Sequence, residues 1–367
     1  MPEVKELKRL NVAGSATSNE SGKDFFLQWH LTERCNMACV HCYQSGRVGR
    51  EMDLPAIVDA AHEVSEMVDD WAQRYSMVFA PSFNITGGEP FLRSDLFQIL
   101  QVIAPLEWEV YLLTNGTLID AEKARRLTGL VSGVQVSMEG PEAIHDAIRG
   151  TGAFRAATAG VRHLIHAGLS VSLNATVSRV NAAHLHDLVS VAHDLGVERV
   201  GFSRLVPSGR GRKMVDDMIP AEAVKALYAD LLNSPDEGIK VSTGDPLAAF
   251  VGDDYGEDSG DTAFGGCAAG ISGLTLLADG TLTPCRRLPI AIGNVQSESI
   301  RQVWAESPVL NALRDRSRYP GRCGACHHWA ICRGCRAIAY ACQEVTATHA
   351  YLADDPQCFV QGCGTDT

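Results

Sequence analysis

Short apolar segments alternate with longer segments of helical periodicity between residues 25 and 205. This pattern predicts six strands, each followed by a helical segment. In the helix predicted near residues 53–72, Leu54, Ile57 and Val58 begin a series of apolar residues at helical spacing, and Asp53 is its expected N-cap. The predicted strands cover residues 25–31, 82–86, 109–114, 133–138, 170–177 and 199–205.

Repeated strand–helix units predict an α/β fold in which helices cover a parallel sheet. Six units are too few to close an eight-unit barrel, which typically needs about 250 residues. We therefore predict a partial (β/α)6 TIM barrel over residues 25–205, preceded by a flexible segment at residues 1–24.

The composition changes after the sixth unit. Residues 206–265 begin with the Gly-rich, basic PSGRGRKM and later contain the acidic GDDYGEDSGD, so they are interpreted as a bridging region. Residues 266–367 are predicted to form a small Cys-rich α+β domain. It contains a hairpin that turns at Asp279-Gly280 and a short helix near residues 298–313.

The charge balance of the 367 residues, 32 Lys+Arg against 44 Asp+Glu, is 32 − 44 = −12. This negative field repels phosphate backbones and anionic lipids, so we expect no nucleic-acid or membrane partner. No apolar run approaches the roughly 18 residues of a membrane span, and the N-terminus has no apolar signal core. The expected location is the cytoplasm.

Twelve cysteines in a reducing compartment indicate metal binding or catalysis rather than disulfides. Cys35, Cys39 and Cys42 form one group, residues 43–266 contain none, and nine lie between Cys267 and Cys363. This distribution predicts two separate thiolate regions.

The first cysteine group follows a predicted strand, at the rim where α/β barrels place their chemistry. Structural zinc and ordinary ferredoxin clusters use four protein ligands. Three thiols alone therefore indicate a site with one position open for a substrate. The alternatives are a zinc site completed by His41 or His30, or buried free cysteines.

The Cx3Cx2C spacing of these thiols, followed by Tyr43, resembles the signature of the radical S-adenosylmethionine (SAM) superfamily. In that family three thiolates hold a [4Fe-4S] cluster and SAM occupies the fourth iron. The GGEP sequence after the second strand resembles the family motif that binds the SAM amino group. The resemblance assigns the cluster to Cys35, Cys39 and Cys42, and the amino group of SAM to Gly87, Gly88, Glu89 and Pro90.

Three further residues match weaker family positions. Ser137 ends the fourth strand in VSMEG, where relatives often have SxDG, and Glu139 departs from that motif while keeping its charge. Arg149, in HDAIRGTGAF, is expected to contact the SAM carboxylate through a bidentate pair, with a surface ion pair as the alternative. Asn174, on the fifth strand, is a candidate ribose contact, with a structural hydrogen bond as the alternative.

The C-terminal cysteines, in Cx12Gx4C and Cx2Cx5Cx2C, resemble the SPASM extension, whose second part usually reads Cx2Cx5Cx3C. SPASM cysteines hold two auxiliary iron-sulfur clusters. A zinc ribbon is the alternative for CGAC and CRGC. The resemblance assigns Cys323, Cys326, Cys332 and Cys358 to one [4Fe-4S] centre, and Cys267, Cys285 and Cys335 to the other, with either Cys342 as fourth ligand or an open iron; Cys363 is interpreted as a spare thiol.

The resemblance implies reductive cleavage of SAM to a 5'-deoxyadenosyl radical that removes hydrogen from a substrate. The expected function is oxidative modification of a ribosomally made peptide, as a cross-link or related C–H functionalisation. The alternatives are modification of tetrapyrrole side chains, since CRAIAYA and DDPQC resemble haem-pathway members, and sulfatase-type maturation. A non-enzymatic electron carrier would not need GGEP or an open cluster. No catalytic acid or base is assigned.

The expected partners follow from the same resemblance. They are a peptide substrate and a one-electron reductant such as flavodoxin or ferredoxin. Only about 24 residues precede the first strand. Leader recognition is therefore expected to use the barrel or a separate leader-binding protein.

Overall fold

The structure is a computed structural model that describes residues 22–44, 49–233, 238–251, 261–263, 265–343 and 350–360. Most of the segment predicted to be flexible, most of GDDYGEDSGD, and Cys363 lie outside these residues. The described residues form one sheet with ten strands. These are β1 Lys23–His30, β2 Phe79–Thr86, β3 Glu109–Thr114, β4 Gly133–Ser137, β5 Val171–Val177, β6 Arg199–Arg204, β7 Lys240–Thr243, β8 Gly273–Leu276, β9 Thr281–Thr283 and β10 Gly293–Asn294.

The sheet is open and mostly parallel, in the order β10-β9-β8-β1-β2-β3-β4-β5-β6-β7. All six predicted strands are present in parallel register. Two further parallel strands flank them, because β7 pairs with β6 and β8 pairs with β1. Each has four residues, too few to show a periodicity. The predicted hairpin is confirmed in β8 and β9, which are antiparallel.

The helices follow the strands along the chain. Asp53 caps α1 as predicted, since its side chain accepts the Ala56 N–H at 3.1 Å. The helix predicted near residues 298–313 is two helices, because Pro308 opens a second helix that Ser307 caps. None of the described helices is both long and apolar enough to cross a membrane. The helices are α1 Leu54–Tyr75, α2 Leu96–Ile103, α3 Ala121–Leu127, α4 Glu142–Arg149, α5 Ala153–His166, α6 Leu185–Leu195, α7 Ala221–Asn233, α8 Ile300–Glu306, α9 Pro308–Arg314, α10 Arg322–Ala325 and α11 Arg336–Ala341.

The two faces of the sheet differ in polarity. On β1, Leu27 and Trp29 are buried in the apolar core. Residues on the alternate face, such as Gln28 and Gln135, line a cavity inside the curved sheet. Successive side chains of a strand point to opposite faces, so the barrel has an apolar outside under its helices and a polar inside.

The C-terminal region joins the barrel through β8 and α8. Gly273 pairs with Phe26 of β1, and a Cβ at Gly273 would lie 2.8 Å from the Phe26 carbonyl oxygen. From α8, Trp304 packs against Trp71 and Phe25, with ring centroids 5.4 and 5.5 Å away. These contacts fix the C-terminal region on the barrel wall.

Trp304→Ala removes this aromatic contact from a half-buried position. We expect a loss of about 2 kcal/mol, and therefore a drop of about 4 °C in the apparent melting temperature. Thermal scans of the iron-loaded protein at a fixed heating rate measure the melting temperature. Arg301→Ala is the control, because its ion pair with Asp70 is exposed and contributes little. Equal melting temperatures for Trp304→Ala and Arg301→Ala would contradict this role.

Candidate cluster and substrate site

The loop with Cys35, Cys39 and Cys42 follows β1 and is held from one side by GGEP. Gly88 N–H donates to the Thr32 carbonyl at 2.7 Å, and Glu89 N–H donates to the Arg34 carbonyl at 2.8 Å. A Cβ at Gly88 would lie 2.2 Å from the Arg34 oxygen. Because glycine has no side chain, the GGEP backbone can lie directly against the backbone of residues 32–34, which leads into Cys35.

A second segment, residues 209–217, covers the same loop from the other side. Gly211 N–H donates to the Cys42 carbonyl at 3.0 Å, and Arg210 Nε donates to the Cys39 carbonyl at 3.1 Å. Gly209 has a φ of 56°, and a Cβ there would lie 2.3 Å from the Tyr43 oxygen. This segment was predicted only to be part of a bridging region, although two glycines around an arginine were a visible signal of close packing.

Glu89 is fully buried beneath the cysteine loop. Its carboxylate accepts hydrogen bonds from Thr114 Oγ1 and Asn115 N–H, both at 2.8 Å, and from Phe91 N–H at 3.3 Å. Burial raises its pKa to about 7, although these donors oppose the shift. Thr114 and Asn115 were not among the predicted site residues, although polar residues at the end of a barrel strand were a usable signal.

Glu139 forms a second buried carboxylate, at the end of β4. It accepts hydrogen bonds from Arg149 Nε at 2.8 Å, Arg149 Nη2 at 2.5 Å and Thr176 N–H at 2.8 Å, and His41 Nε2 lies 3.1 Å away. Burial opposes ionisation, but Arg149 and His41 hold the pKa of Glu139 well below its usual range. The Glu in place of the Asp of SxDG therefore serves as the anion of a buried charge network.

Arg149 is largely buried, with 11% of its side chain exposed, and its ion pair is with the fully buried Glu139 rather than at the surface. Two of its nitrogens are used by Glu139, and Nη1 lies 3.9 Å from Cys39 Sγ. Asn115 Nδ2 lies 4.0 Å from Cys35 Sγ. N–H donors therefore face two of the three thiols, which suits their ionised form.

Ser137 and Asn174 are brought together by the sheet, since they are register partners on β4 and β5. Partners in register point to the same face, here the inside of the barrel. Asn174 lines the cavity together with Gln135, two residues before Ser137. Ser137 itself lies at the end of its strand, nearer the cysteine loop.

Four of the C-terminal cysteines surround one small cavity. Arg336 Nη2 lies 3.6 Å from Cys323 Sγ, and Gly334 N–H lies 3.2 Å from Cys332 Sγ. Asp354 accepts the Cys323 N–H at 2.8 Å and so fixes the backbone at that residue. The cysteines that line this cavity are Cys323, Cys326, Cys332 and Cys358, the set that the resemblance to SPASM assigns to one centre.

Cys267, Cys285 and Cys335 line a different and larger cavity, of about 230 Å³, inside the barrel. Burial raises the pKa of Cys335 to about 12. Cys342 is not among the lining residues. It ends α11, the helix that Cys335 begins, and its Sγ lies 3.7 Å from Met218 Sδ.

The arrangement of the thiols bears on the zinc alternatives. Among the described residues, no three or more His, Cys, Asp or Glu side chains are placed to hold a single metal ion. Four thiolates on one tetrahedral zinc lie about 3.8 Å apart, as Zn–S bonds of about 2.3 Å require. A four-iron cluster takes one thiolate per iron and spaces them more widely. A zinc site and a four-iron cluster therefore require different spacings of the thiolates.

Comparisons with known proteins identify the family of this chain. Residues 29–192 match the model of the Radical SAM superfamily, and residues 267–336 match that of an iron-sulfur cluster-binding domain, SPASM. The chain is 30% identical to an AdoMet-dependent heme synthase of Methanosarcina barkeri over 90% of this chain and 95% of the relative. The chain belongs to the radical SAM superfamily.

Two further matches come from the same superfamily. Mycofactocin maturase MftC of Mycobacterium tuberculosis is 32% identical over 86% of this chain and 78% of the relative. The fold resembles that of SuiB of Streptococcus suis bound to S-adenosylmethionine, with a TM-score of 0.72 and 16% identity, over 92% of this chain and 78% of SuiB. The partial barrel with a C-terminal SPASM domain is thereby confirmed.

Membership of this superfamily implies a [4Fe-4S] cluster, SAM and auxiliary iron-sulfur clusters. The residues present fit these groups. Three thiols lie on the loop with N–H donors facing two of them, and four line one small cavity. Three others share the barrel cavity. Thiolates are the ligands that iron-sulfur clusters use.

Cys342→Ala should leave the iron content unchanged, at about 12 per chain if all three clusters are [4Fe-4S]. The reason is that α11 separates Cys342 from Cys335 by about 10 Å, at 1.5 Å per residue. Cys335→Ala is the matched control and should lose about four irons. Iron and sulfide analysis of anaerobic protein measures both. Loss of one cluster's iron from folded Cys342→Ala would instead make Cys342 the fourth ligand.

SAM binding should weaken as the pH falls below about 7, by up to tenfold per pH unit. Without SAM the Glu89 carboxyl is protonated below that pH. If the carboxylate accepts the SAM ammonium, binding must release this proton. Anaerobic equilibrium dialysis at several pH values measures how the SAM dissociation constant depends on pH. Glu89→Gln should bind SAM weakly and without this pH dependence. A pH dependence that persists in Glu89→Gln would contradict the assignment of Glu89 to the SAM ammonium.

Proposed function

We propose that this radical SAM/SPASM enzyme oxidatively modifies a ribosomally made peptide. The observation that carries the proposal is the barrel cavity, which extends from the inward faces of the strands to Cys267, Cys285 and Cys335. Its volume is about 230 Å³. Such a space admits a few side chains of an extended peptide.

The bound cofactors supply a 5'-deoxyadenosyl radical, while the chain positions and shields the reacting groups. In this proposal Glu89 accepts the SAM ammonium. Nη1 of Arg149, the nitrogen that Glu139 does not use, faces the SAM carboxylate near Cys39. Residues 209–217 cover the cysteine loop and exclude water from it. Asn174 and Ser137 face the same interior and serve the ribose.

A second candidate function is the modification of a tetrapyrrole side chain. It is supported by the similarity to AdoMet-dependent heme synthase, which extends over 95% of that protein. The similarity to mycofactocin maturase MftC covers 78% of the relative at nearly the same identity. A flavodoxin or ferredoxin as reductant, and a separate leader-binding protein for a peptide, belong to the proposal as partners.

Co-expression with peptides encoded near this chain, followed by mass spectrometry, tests the proposal. A cross-linked product should have lost two hydrogens relative to the unmodified peptide. The control is the triple variant in which Cys35, Cys39 and Cys42 are Ala. It should leave the peptide unmodified and retain about eight auxiliary irons. Unchanged peptides with the iron-loaded wild type, alongside a modified tetrapyrrole, would favour the second candidate.

A further inference from the structure

Two buried arginines lie beside the four-cysteine cavity, the small cavity that is lined by Cys323, Cys326, Cys332 and Cys358. Arg333 is 2% exposed and Arg336 is 1% exposed. In the part of the chain that the structure describes, neither guanidinium lies within ion-pair distance of a carboxylate. A buried cation is costly without nearby negative charge, so the source of that charge has to be found.

The carboxylates of this region are directed to other groups. Asp355 accepts hydrogen bonds from Arg204 at 2.8 and 3.0 Å, and Asp354 accepts the Cys323 N–H at 2.8 Å. Asp355 still acts on Arg336 electrostatically, but Cys323 in its thiolate form acts on it more strongly. The thiolate of Cys323 is therefore the principal negative charge beside Arg336.

Arg333 serves as a brace between two segments of the backbone. Its Nη1 donates to the carbonyls of Trp329 and Ala330, at 3.3 and 2.9 Å. Its Nη2 donates to the carbonyls of Gly265 and Cys267. These contacts tie the segment before Cys267 to the wall of the four-cysteine cavity, and they use both terminal nitrogens on carbonyl oxygens.

Arg336 uses its terminal nitrogens differently, because one of them faces a thiol. Nη1 donates to the carbonyls of Tyr351 and Ala353, at 3.1 and 2.7 Å. Nη2 lies 3.6 Å from Cys323 Sγ, within the range of an N–H···S hydrogen bond. Gly334 makes room for this approach, since its φ is 62° and a Cβ there would lie 2.9 Å from Nη2. The carbonyls therefore hold Arg336 with one N–H group directed at a cluster ligand.

We propose that Arg336 raises the reduction potential of the auxiliary cluster that the four-cysteine cavity holds. Reduction adds a negative charge to an iron-sulfur cluster, and its potential depends on nearby charge, hydrogen bonds to the sulfurs and solvent exposure. A buried guanidinium that donates to a ligand sulfur stabilises the reduced form through both charge and hydrogen bonding. Arg336 is a positioning residue that acts through Cys323 and makes this cluster the better electron acceptor.

EPR spectra of the full-length chain, poised anaerobically at a series of potentials, measure this effect. The background is the variant in which Cys35, Cys39 and Cys42 are Ala, so that only the two auxiliary clusters respond. There, Arg336→Gln should lower one of the two potentials by at least about 59 mV, a tenfold change in the one-electron equilibrium constant. The other potential should stay unchanged. Arg336→Lys keeps the charge without the planar fork and should give a smaller fall.

Arg322→Gln is the matched control. Arg322 lines the same cavity, but 50% of its side chain is exposed. Solvent and salt screen an exposed charge, so both potentials should change little in this variant. Cys285→Ala should remove the other auxiliary cluster and thereby show which potential belongs to the four-cysteine cavity. Iron analysis verifies which clusters each variant keeps.

Each outcome decides the inference. A fall in Arg336→Gln that is smaller in Arg336→Lys and absent in Arg322→Gln supports it. An unchanged potential in Arg336→Gln with about eight irons overturns it, as does an equal fall in Arg322→Gln. If only Arg336→Lys keeps the cluster, a fall in its potential supports the inference and an unchanged potential overturns it. Loss of about four irons from both Arg336 variants assigns Arg336 a bracing role alone and also overturns it.

The inference goes beyond the proposed function and does not depend on it. The measurement needs neither SAM nor a substrate, because it follows the auxiliary clusters alone. A failure to modify any peptide would therefore leave the potentials and their interpretation unchanged.

Discussion

The parallel pairing of β8 with β1 determines where the two cysteine regions meet. β1 leads directly into the loop of Cys35, and β8 leads through β9 to Cys285. Because the strands are neighbours, the C-terminal cysteines extend the wall of the barrel and line its interior. Only glycine at position 273 allows β8 to approach Phe26 so closely. The SPASM region is thus attached to β1, the strand that leads into the loop of Cys35, Cys39 and Cys42.

Two buried charge networks then position the thiols. Near the loop, Glu139 holds Arg149 against Cys39. Near the auxiliary site, Arg204 at the end of β6 binds Asp355, and Asp355 accepts the Cys335 N–H at 2.8 Å. Removing one partner of such a pair leaves a charge unpaired in the interior, at a cost of about 3–5 kcal/mol. Both networks therefore fix cysteine backbone and side-chain positions relative to the sheet.

The sequence predicted the features that depend on local pattern. The strand at 109–114 has the predicted bounds, and the resemblance to SPASM divided the C-terminal cysteines into the groups that line the two cavities. It did not predict β7 or the pairing of β8 with β1. Strands of four residues are too short to show a pattern, and their position in the sheet is set by tertiary contacts. The contact of Arg149 with Cys39 and the ion pair of Arg204 with Asp355 depend on residues far apart in the chain. Such contacts leave no periodic signal in one sequence.

The proposed function places the substrate in the cavity that the strands share with Cys267, Cys285 and Cys335. Filling this space with a larger side chain is therefore its most stringent test. Ser203 lines the cavity, and Ser203→Phe should leave iron content and substrate-independent SAM cleavage near wild type while product formation, measured by mass spectrometry on the identified substrate, falls at least about tenfold. Ser190→Phe, on the outer helix α6, is the control. Product formation at the wild-type rate in Ser203→Phe would contradict the account.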